Sequence, residues 1–191
     1  MIKFYHKKSA EYLERAVYVC PFCGLSEFES HGDLVTCKKC NRSVRYLPTK
    51  ELEGVGFEFP FRFVAEWYDY QVDFVNALNV LEYDEAPMYT ESVDLYEVTP
   101  CKCKELIAEH MQISLYGNRV EWVTAEGKTV SAFEDISSIA VLGRNKLNIY
   151  CADKIYQLKG GKRFNALKYV HIYHRYKNII KGDQNEQFLG L

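Results

Sequence analysis

Proline and glycine are scarce in this 191-residue chain, at 5 and 11 residues. With so few turn formers and no low-complexity tract, collagenous, linker-like and disordered classes are excluded. Long apolar runs are missing as well: none approaches the ~20 residues that a membrane-spanning helix needs. The first residues lack the apolar centre of a secretory signal, so the expectation is a soluble, unexported chain. No excess of either charge is present. Lys plus Arg number 24 against 26 Asp plus Glu, a net charge of −2, so no overall field draws the chain onto nucleic acid or an anionic bilayer. Any such binding has to be local.

That balance is a cancellation. Residues 1–50 carry 9 basic and 5 acidic groups, residues 51–100 carry 1 and 12, and residues 101–191 carry 14 and 9. Three compositional blocks suggest three structural pieces, with a solvated acidic face the plain reading of the middle one. Apolar residues make up 48% of the chain and aromatic residues 15%, enough to bury a core in one ordinary domain or two small ones.

Seven cysteines are present, and four fall as Cys20-Pro21-Phe22-Cys23-Gly24 and Cys37-Lys38-Lys39-Cys40-Asn41. Two Cys-x-x-Cys knuckles at this separation build a four-cysteine zinc ribbon, with Cys20, Cys23, Cys37 and Cys40 as the ligands of one structural zinc. Gly24 and Asn41 follow the second cysteine of each knuckle, where the chain takes a left-handed turn that both residues tolerate. The segment between the knuckles reads as a hairpin with His31-Gly32-Asp33 at its tip, which makes His31 a turn residue and not a fifth ligand. Four thiolates leave no open position for water or substrate. A ribbon of about 30 residues cannot bury enough surface to fold alone, and metal binding at about 10–16 kcal/mol supplies the difference. Iron is the alternative metal for a tetrathiolate site, and a redox dithiol would need one pair, not two. Lys38, Lys39, Arg42 and Arg45 beside the second knuckle keep a nucleic-acid-binding ribbon open as the second reading of the chain. Cys101, Cys103 and Cys151 read as small buried apolar residues.

Over residues 60–81, Phe63, Trp67, Tyr70, Phe74 and Leu78 recur at three- and four-residue steps, predicting an amphipathic connecting helix with Pro60 near its first turn and its aromatic stripe packed against the segment C-terminal to it. From about residue 90 the period becomes two, with turns at Gly117-Asn118, Glu126-Gly127, Gly143-Arg144-Asn145 and Ala152-Asp153. That pattern predicts about seven short antiparallel strands and a final helix over 162–177. The expected organisation is an extension over 1–19, the zinc ribbon over 20–47, the helix over 60–81, a barrel over 90–180 and a tail over 181–191. The fold class is α+β.

Seven meandering strands capped by one helix is the plan of a pleckstrin-homology-like barrel. The stretches Phe133-Glu134-Asp135-Ile136-Ser137-Ser138-Ile139, Asn145-Lys146-Leu147-Asn148-Ile149 and Ile155-Tyr156-Gln157-Leu158 resemble the bacterial branch of that superfold and its GRAM relatives. Arg144 and Lys146 in one loop, with Lys159, Lys162 and Arg163 around Gly160-Gly161 in another, are candidate contacts for anionic lipid if the two loops share one end, each near-surface charge being worth ~1 kcal/mol. Solubility alone accounts for them equally well.

The order of Glu11-Tyr12-Leu13-Glu14-Arg15-Ala16-Val17-Tyr18, the two knuckles, Phe63-Val64-Ala65-Glu66-Trp67-Tyr68-Asp69-Tyr70-Gln71 and Leu142-Gly143-Arg144-Asn145-Lys146-Leu147 resembles the region after the catalytic domain in zinc-ribbon-bearing lysophospholipid (1-acylglycerol-3-phosphate) acyltransferases of Firmicutes-type bacteria. The resemblance implies an accessory module associated with a parent acyltransferase domain, cytoplasmic and peripheral at the inner face of the membrane. That chemistry uses a His and an Asp separated by four residues. Here the corresponding positions after His6, His31, His110, His171 and His174 are Glu11, Thr36, Leu115, Tyr176 and Ile179. No catalytic residue carries over, and the chain is expected not to be an enzyme itself, whether it is cut from a longer one or is a free-standing relative.

Overall fold

A computed structural model describes residues 3–99, 104–125, 127–152 and 154–182. The chain forms two compact units, Met1–Phe74 and Val75–Leu191.

In the first unit, β1 (Val19–Cys20) pairs with β2 (Gly24–Leu25) across the first knuckle. A four-stranded antiparallel sheet comes next, β3 (Phe28–His31), β4 (Leu34–Cys37), β5 (Ser43–Tyr46) and β6 (Leu52–Gly54), each strand beside its successor. Gly32 at φ 63° makes the tight β3–β4 turn, and His31 closes the ladder opposite Leu34. The period of two puts Phe28, Val35, Cys37, Val44 and Leu52 into one core with Ala10, Val17 and Trp67. The sheet thus runs to Gly54, past the boundary expected at 47, and the segment before Val19, expected as an extension, contributes Ala10 and Val17 to the core.

Helix α1 spans Val64–Ala77, shorter at both ends than the periodicity over 60–81 predicts. The Glu66 carboxylate accepts the backbone N–H of Arg62 at 2.6 Å and of Phe63 at 3.2 Å, capping the first turn from within and leaving Pro60 ahead of the helix. From its aromatic stripe, expected to pack against the segment C-terminal to it, Trp67 packs into the core of the first unit, its ring meeting Phe28 edge-on at 5.2 Å and Phe59 at 5.1 Å.

The second unit is a curled antiparallel half-barrel of seven strands: β7 (Tyr89–Val98), β8 (Lys104–Leu115), β9 (Arg119–Thr124), β10 (Gly127–Ala132), β11 (Ile136–Leu142), β12 (Lys146–Cys151) and β13 (Ile155–Gly160). Their order across the sheet is β10-β9-β8-β7-β13-β12-β11, so two meanders are joined where β7 meets β13. The sheet curls because β7 and β8 bend together. Their register shifts beyond Val93, and on β8 His110 takes φ 50° while donating its backbone N–H to Asp94 Oδ1 at 3.2 Å. Glu109, which a strict period of two would put on the face of Met111, Ile113 and Leu115, lies on the far side of that bend and is exposed.

Helix α2 spans Leu167–Lys181, five residues later in start than the 162–177 expected. Asn165 Oδ1 accepts the N–H of Leu167 and Lys168, which fixes the start, and Gly182 at φ 70° ends the helix. Its Tyr169, Ile172, Tyr173 and Tyr176 fill the half-barrel with Phe133, Ile136, Leu147, Ile149 and Leu158. The interior is therefore packed core. Cys101 and Cys103 lie outside the described residues, as does the expected tail beyond Gly182, and Cys151 is half-buried at the end of β12.

Candidate metal centre

The two knuckles end strands β1 and β4, and the hairpin between them carries one beside the other. The Sγ atoms of Cys20, Cys23, Cys37 and Cys40 all lie within 4.8 Å of one another. Cys20 and Cys40 are 3.7 Å apart at sulfur, and Cys23 and Cys37 are 3.6 Å apart. Thiolates bound at ~2.3 Å to one tetrahedral metal stand about 3.8 Å from each other, whereas a disulfide holds its sulfurs at about 2.0 Å. All four cysteines are free thiols at metal-sharing spacing. They fit one four-coordinate ion. Gly24 and Asn41, at φ 76° and 57°, take the left-handed turns that the knuckles require.

The thiols differ in acidity for reasons visible around them. Burial pushes Cys20 up against the pull of the Phe22 and Cys23 backbone N–H groups, and burial with the three neighbouring thiols pushes Cys23 up strongly. Burial opposes ionisation of Cys40 too, but the Arg42 backbone N–H, the Cys37 thiol, the Arg42 side chain and the Cys20 thiol together hold it down to about 6. Four thiols in so small a space cannot all ionise without a cation, and a bound divalent ion would deprotonate them together.

Around these ligands sits a supporting layer that cysteine spacing does not disclose. Ser26 Oγ lies 3.0 Å from Cys37 Sγ, in place to donate to a thiolate. Lys39 Nζ donates to Cys23 O at 3.0 Å, tying the second knuckle to the first. The Arg42 guanidinium stacks 4.5 Å over the Phe22 ring. From α1, Trp67 Nε1 donates to Val19 O at 2.8 Å, and Gln71 Oε1 accepts from the N–H of Tyr18 and Val19, so the strand that delivers Cys20 is held by two side chains one helical turn apart. His31 is not drawn into the centre: it is exposed at the end of β3 and bonds Glu29 at 3.0 Å.

The five basic residues singled out in the second unit share one end of it. Arg144 lies in the β11–β12 turn, Lys146 opens β12, Lys159 precedes the last residue of β13, and Lys162 and Arg163 come just after it. Asn145 stitches the two segments together, donating Nδ2–H to Gly160 O at 2.6 Å and accepting the Gly160 N–H at 3.0 Å. Lys159 also sits 3.5 Å from Asp94. No helix among the described residues is long and apolar enough to cross a membrane.

No family model matches the sequence, and no curated protein matches it. Among solved structures, the chain is similar to the solution structure of the N-terminal PH domain of human ARAP2 protein, at 14% identity and a TM-score of 0.38. The match covers 53% of this chain and 90% of that one. A likeness at this level says nothing about ligand or partner, and what the chain binds has to be argued from its own residues.

Proposed function

We propose that this chain is a non-catalytic binding module in which a structural zinc ribbon and a helix-plugged, pleckstrin-homology-like half-barrel serve docking at an anionic membrane surface. The observation that carries the reading is the joining of the two basic segments by Asn145 and Gly160, which gathers Arg144, Lys146, Lys159, Lys162 and Arg163 at one end. The packed interior supports it: with α2 side chains filling the half-barrel, recognition falls to the outer surface. The four-sulfur donor set supports a structural role for the metal, since a closed tetrahedral site offers no position for substrate. Association with a lysophospholipid acyltransferase, at the inner face of the membrane, rests on the sequence resemblance alone.

The nucleic-acid reading of the ribbon is weakened by what its basic residues already do. Lys38 lies 3.6 Å from Glu27, Arg45 lies 3.2 Å from Asp33, Lys39 is bonded to the Cys23 carbonyl and Arg42 is stacked on Phe22. Co-sedimentation with phosphatidylcholine vesicles, with and without phosphatidylglycerol, tests the docking. The expected result is binding to the anionic vesicles only, weakened by salt and by Arg144→Glu with Lys162→Glu. Equal binding to both vesicle types, or none, defeats it.

A further inference from the structure

The outer face of the second unit, on the side of the sheet away from α2, carries an arrangement that like-charge repulsion alone would disfavour. Lys146 on β12 and Lys159 on β13 are direct cross-strand partners. Identical charges at opposed positions destabilise a ladder. Asp94, opposite Lys159 on β7, neutralises one of the pair at 3.5 Å. Among the described residues Lys146 has no carboxylate partner.

A third ammonium joins them. Lys104, at the start of β8, lies across β7 with its Nζ 3.5 Å above the Tyr96 ring and donates to Gln157 Oε1 on β13 at 2.5 Å. The Gln157 amide is buried and in turn donates to Asn148 Oδ1 at 2.9 Å, while Asn148 Nδ2 donates to the Tyr150 hydroxyl at 3.2 Å. These bonds fix a polar row across β13 and β12, the next same-face pair along from Lys146 and Lys159. Burial lowers the Lys104 ammonium, and the nearness of Lys146 and Lys159 lowers it further, while Asp94 acts the other way. Three cations gathered beside a bonded amide pair, with one carboxylate among them, lack one thing, an oxyanion.

We infer that Lys104, Lys146 and Lys159, beside the Gln157–Asn148 amide pair, form a binding site for a phosphate-bearing oxyanion. A phosphate oxygen between Lys146 and Lys159 turns their repulsion into two charge-assisted hydrogen bonds, and Lys104 closes the third side. The inference deepens the docking reading and rests on it for the role of Lys146 and Lys159, but it moves recognition from the loop tips to the strand face and adds Lys104 from another strand. A lipid headgroup and a soluble phosphate ester share this chemistry.

The test is a titration of the metal-loaded full chain with inorganic phosphate at constant ionic strength, followed by the side-chain amide signals of Gln157 and Asn148 in heteronuclear NMR. A saturable shift of both is expected, with Lys104→Gln and Lys146→Gln each weakening the affinity at least threefold. Lys128→Gln, on β10 and paired with Glu121 at 2.8 Å, should leave it unchanged. Shifts that grow linearly without saturating, or an unchanged midpoint in the Lys104→Gln, Lys146→Gln double variant, overturn the inference. Phosphatidylglycerol vesicles separate the sources: if the double variant loses phosphate and vesicles together, the site serves a headgroup, and if vesicle binding stays while phosphate binding falls, it serves a soluble ester. Phosphate binding without any vesicle binding by the wild type defeats the docking proposal and leaves the site standing.

Discussion

The side-chain carbonyl of Gln71 accepts the backbone N–H of Tyr18 at 2.6 Å. The same oxygen takes the Val19 N–H at 3.2 Å, and the amide Nε2 donates to Ala16 O at 3.0 Å. One fully buried helical side chain thereby satisfies three backbone groups of the segment that leads into Cys20. Replacing it with Leu keeps the volume and strands two buried donors and an acceptor. Gln71→Leu is expected to lower the stability of the first unit by about 3 kcal/mol or more, since each of the three buried polar groups left unpaired costs about 1–3 kcal/mol. Because β1 positions a ligand, the same change should speed release of the metal to a chelator. Wild-type stability together with wild-type release kinetics would sink this account of Gln71.

For the metal, elemental analysis should find about one zinc per chain, since four thiolates complete a single tetrahedral shell. Cys37→Ser should lose it, and chelation should melt the ribbon signals while leaving those of the half-barrel, which has its own core. Ser26→Ala keeps every ligand and removes the hydroxyl 3.0 Å from Cys37 Sγ. It should bind zinc about tenfold or more weakly, the usual scale for a lost outer partner. A protein that is fully folded and metal-free would overturn the centre itself, and iron in its place would show as visible charge-transfer absorption.

The four-cysteine cluster is the most legible feature of the sequence because its information is local: two knuckles, with Gly24 and Asn41 where left-handed turns fall, determine their own geometry. Strand positions in the second unit are legible from alternation up to the point where His110 bends β8 and puts Glu109 beyond the bend, away from the face of Met111. The stripe on α1 names Trp67 but passes over Gln71, one turn later on the same face. An amide on an apolar face is informative only once the Tyr18 and Val19 N–H groups are known to lie opposite it. Periodicity misplaces the helix ends because their caps are side chains, Glu66 reaching backwards and Asn165 forwards, which it does not weigh. Lys104 is hidden from any local pattern because its place beside Lys146 depends on β7 lying between β8 and β13.

Lys168, almost wholly buried on α2, pairs with Glu91 Oε2 at 2.9 Å and lies 4.2 Å over the Tyr89 ring, while the Tyr169 hydroxyl donates to the same carboxylate at 2.8 Å. This pair anchors the helix to β7. Lys168→Met should cost about 3–5 kcal/mol, because it leaves a largely buried carboxylate with only the tyrosine to answer it. Pairing it with Glu91→Leu should recover most of the loss, since an apolar pair of similar volume avoids the desolvation of both charges. Urea denaturation of the two variants and wild type reads the cycle directly. If the double variant is less stable than Lys168→Met, the ion pair is not what makes the single substitution costly.

His171 is buried on α2, and burial, with a smaller contribution from the charge on His174, lowers its pKa to about 4 from an ordinary value of 6.5. In the unfolded chain the imidazole binds a proton below about pH 6.5, while in the folded chain it stays neutral to about pH 4. The unfolded state therefore binds more protons through that window, and stability rises with pH across it. The contribution is complete above pH 6.5, falls as the pH drops below that value, and is exhausted below about 4. At about 1.36 kcal/mol for each pH unit separating the two values, the total is on the order of 3 kcal/mol. Urea midpoints of the second unit should fall between pH 7 and pH 4.5 in wild type, and the fall should be shallower in His171→Phe, which has no proton to gain. Parallel pH profiles for the two proteins would place the acid sensitivity elsewhere, with the carboxylates of Glu91 and Glu134, which accept the hydroxyls of Tyr169 and Tyr176, as the groups to examine next.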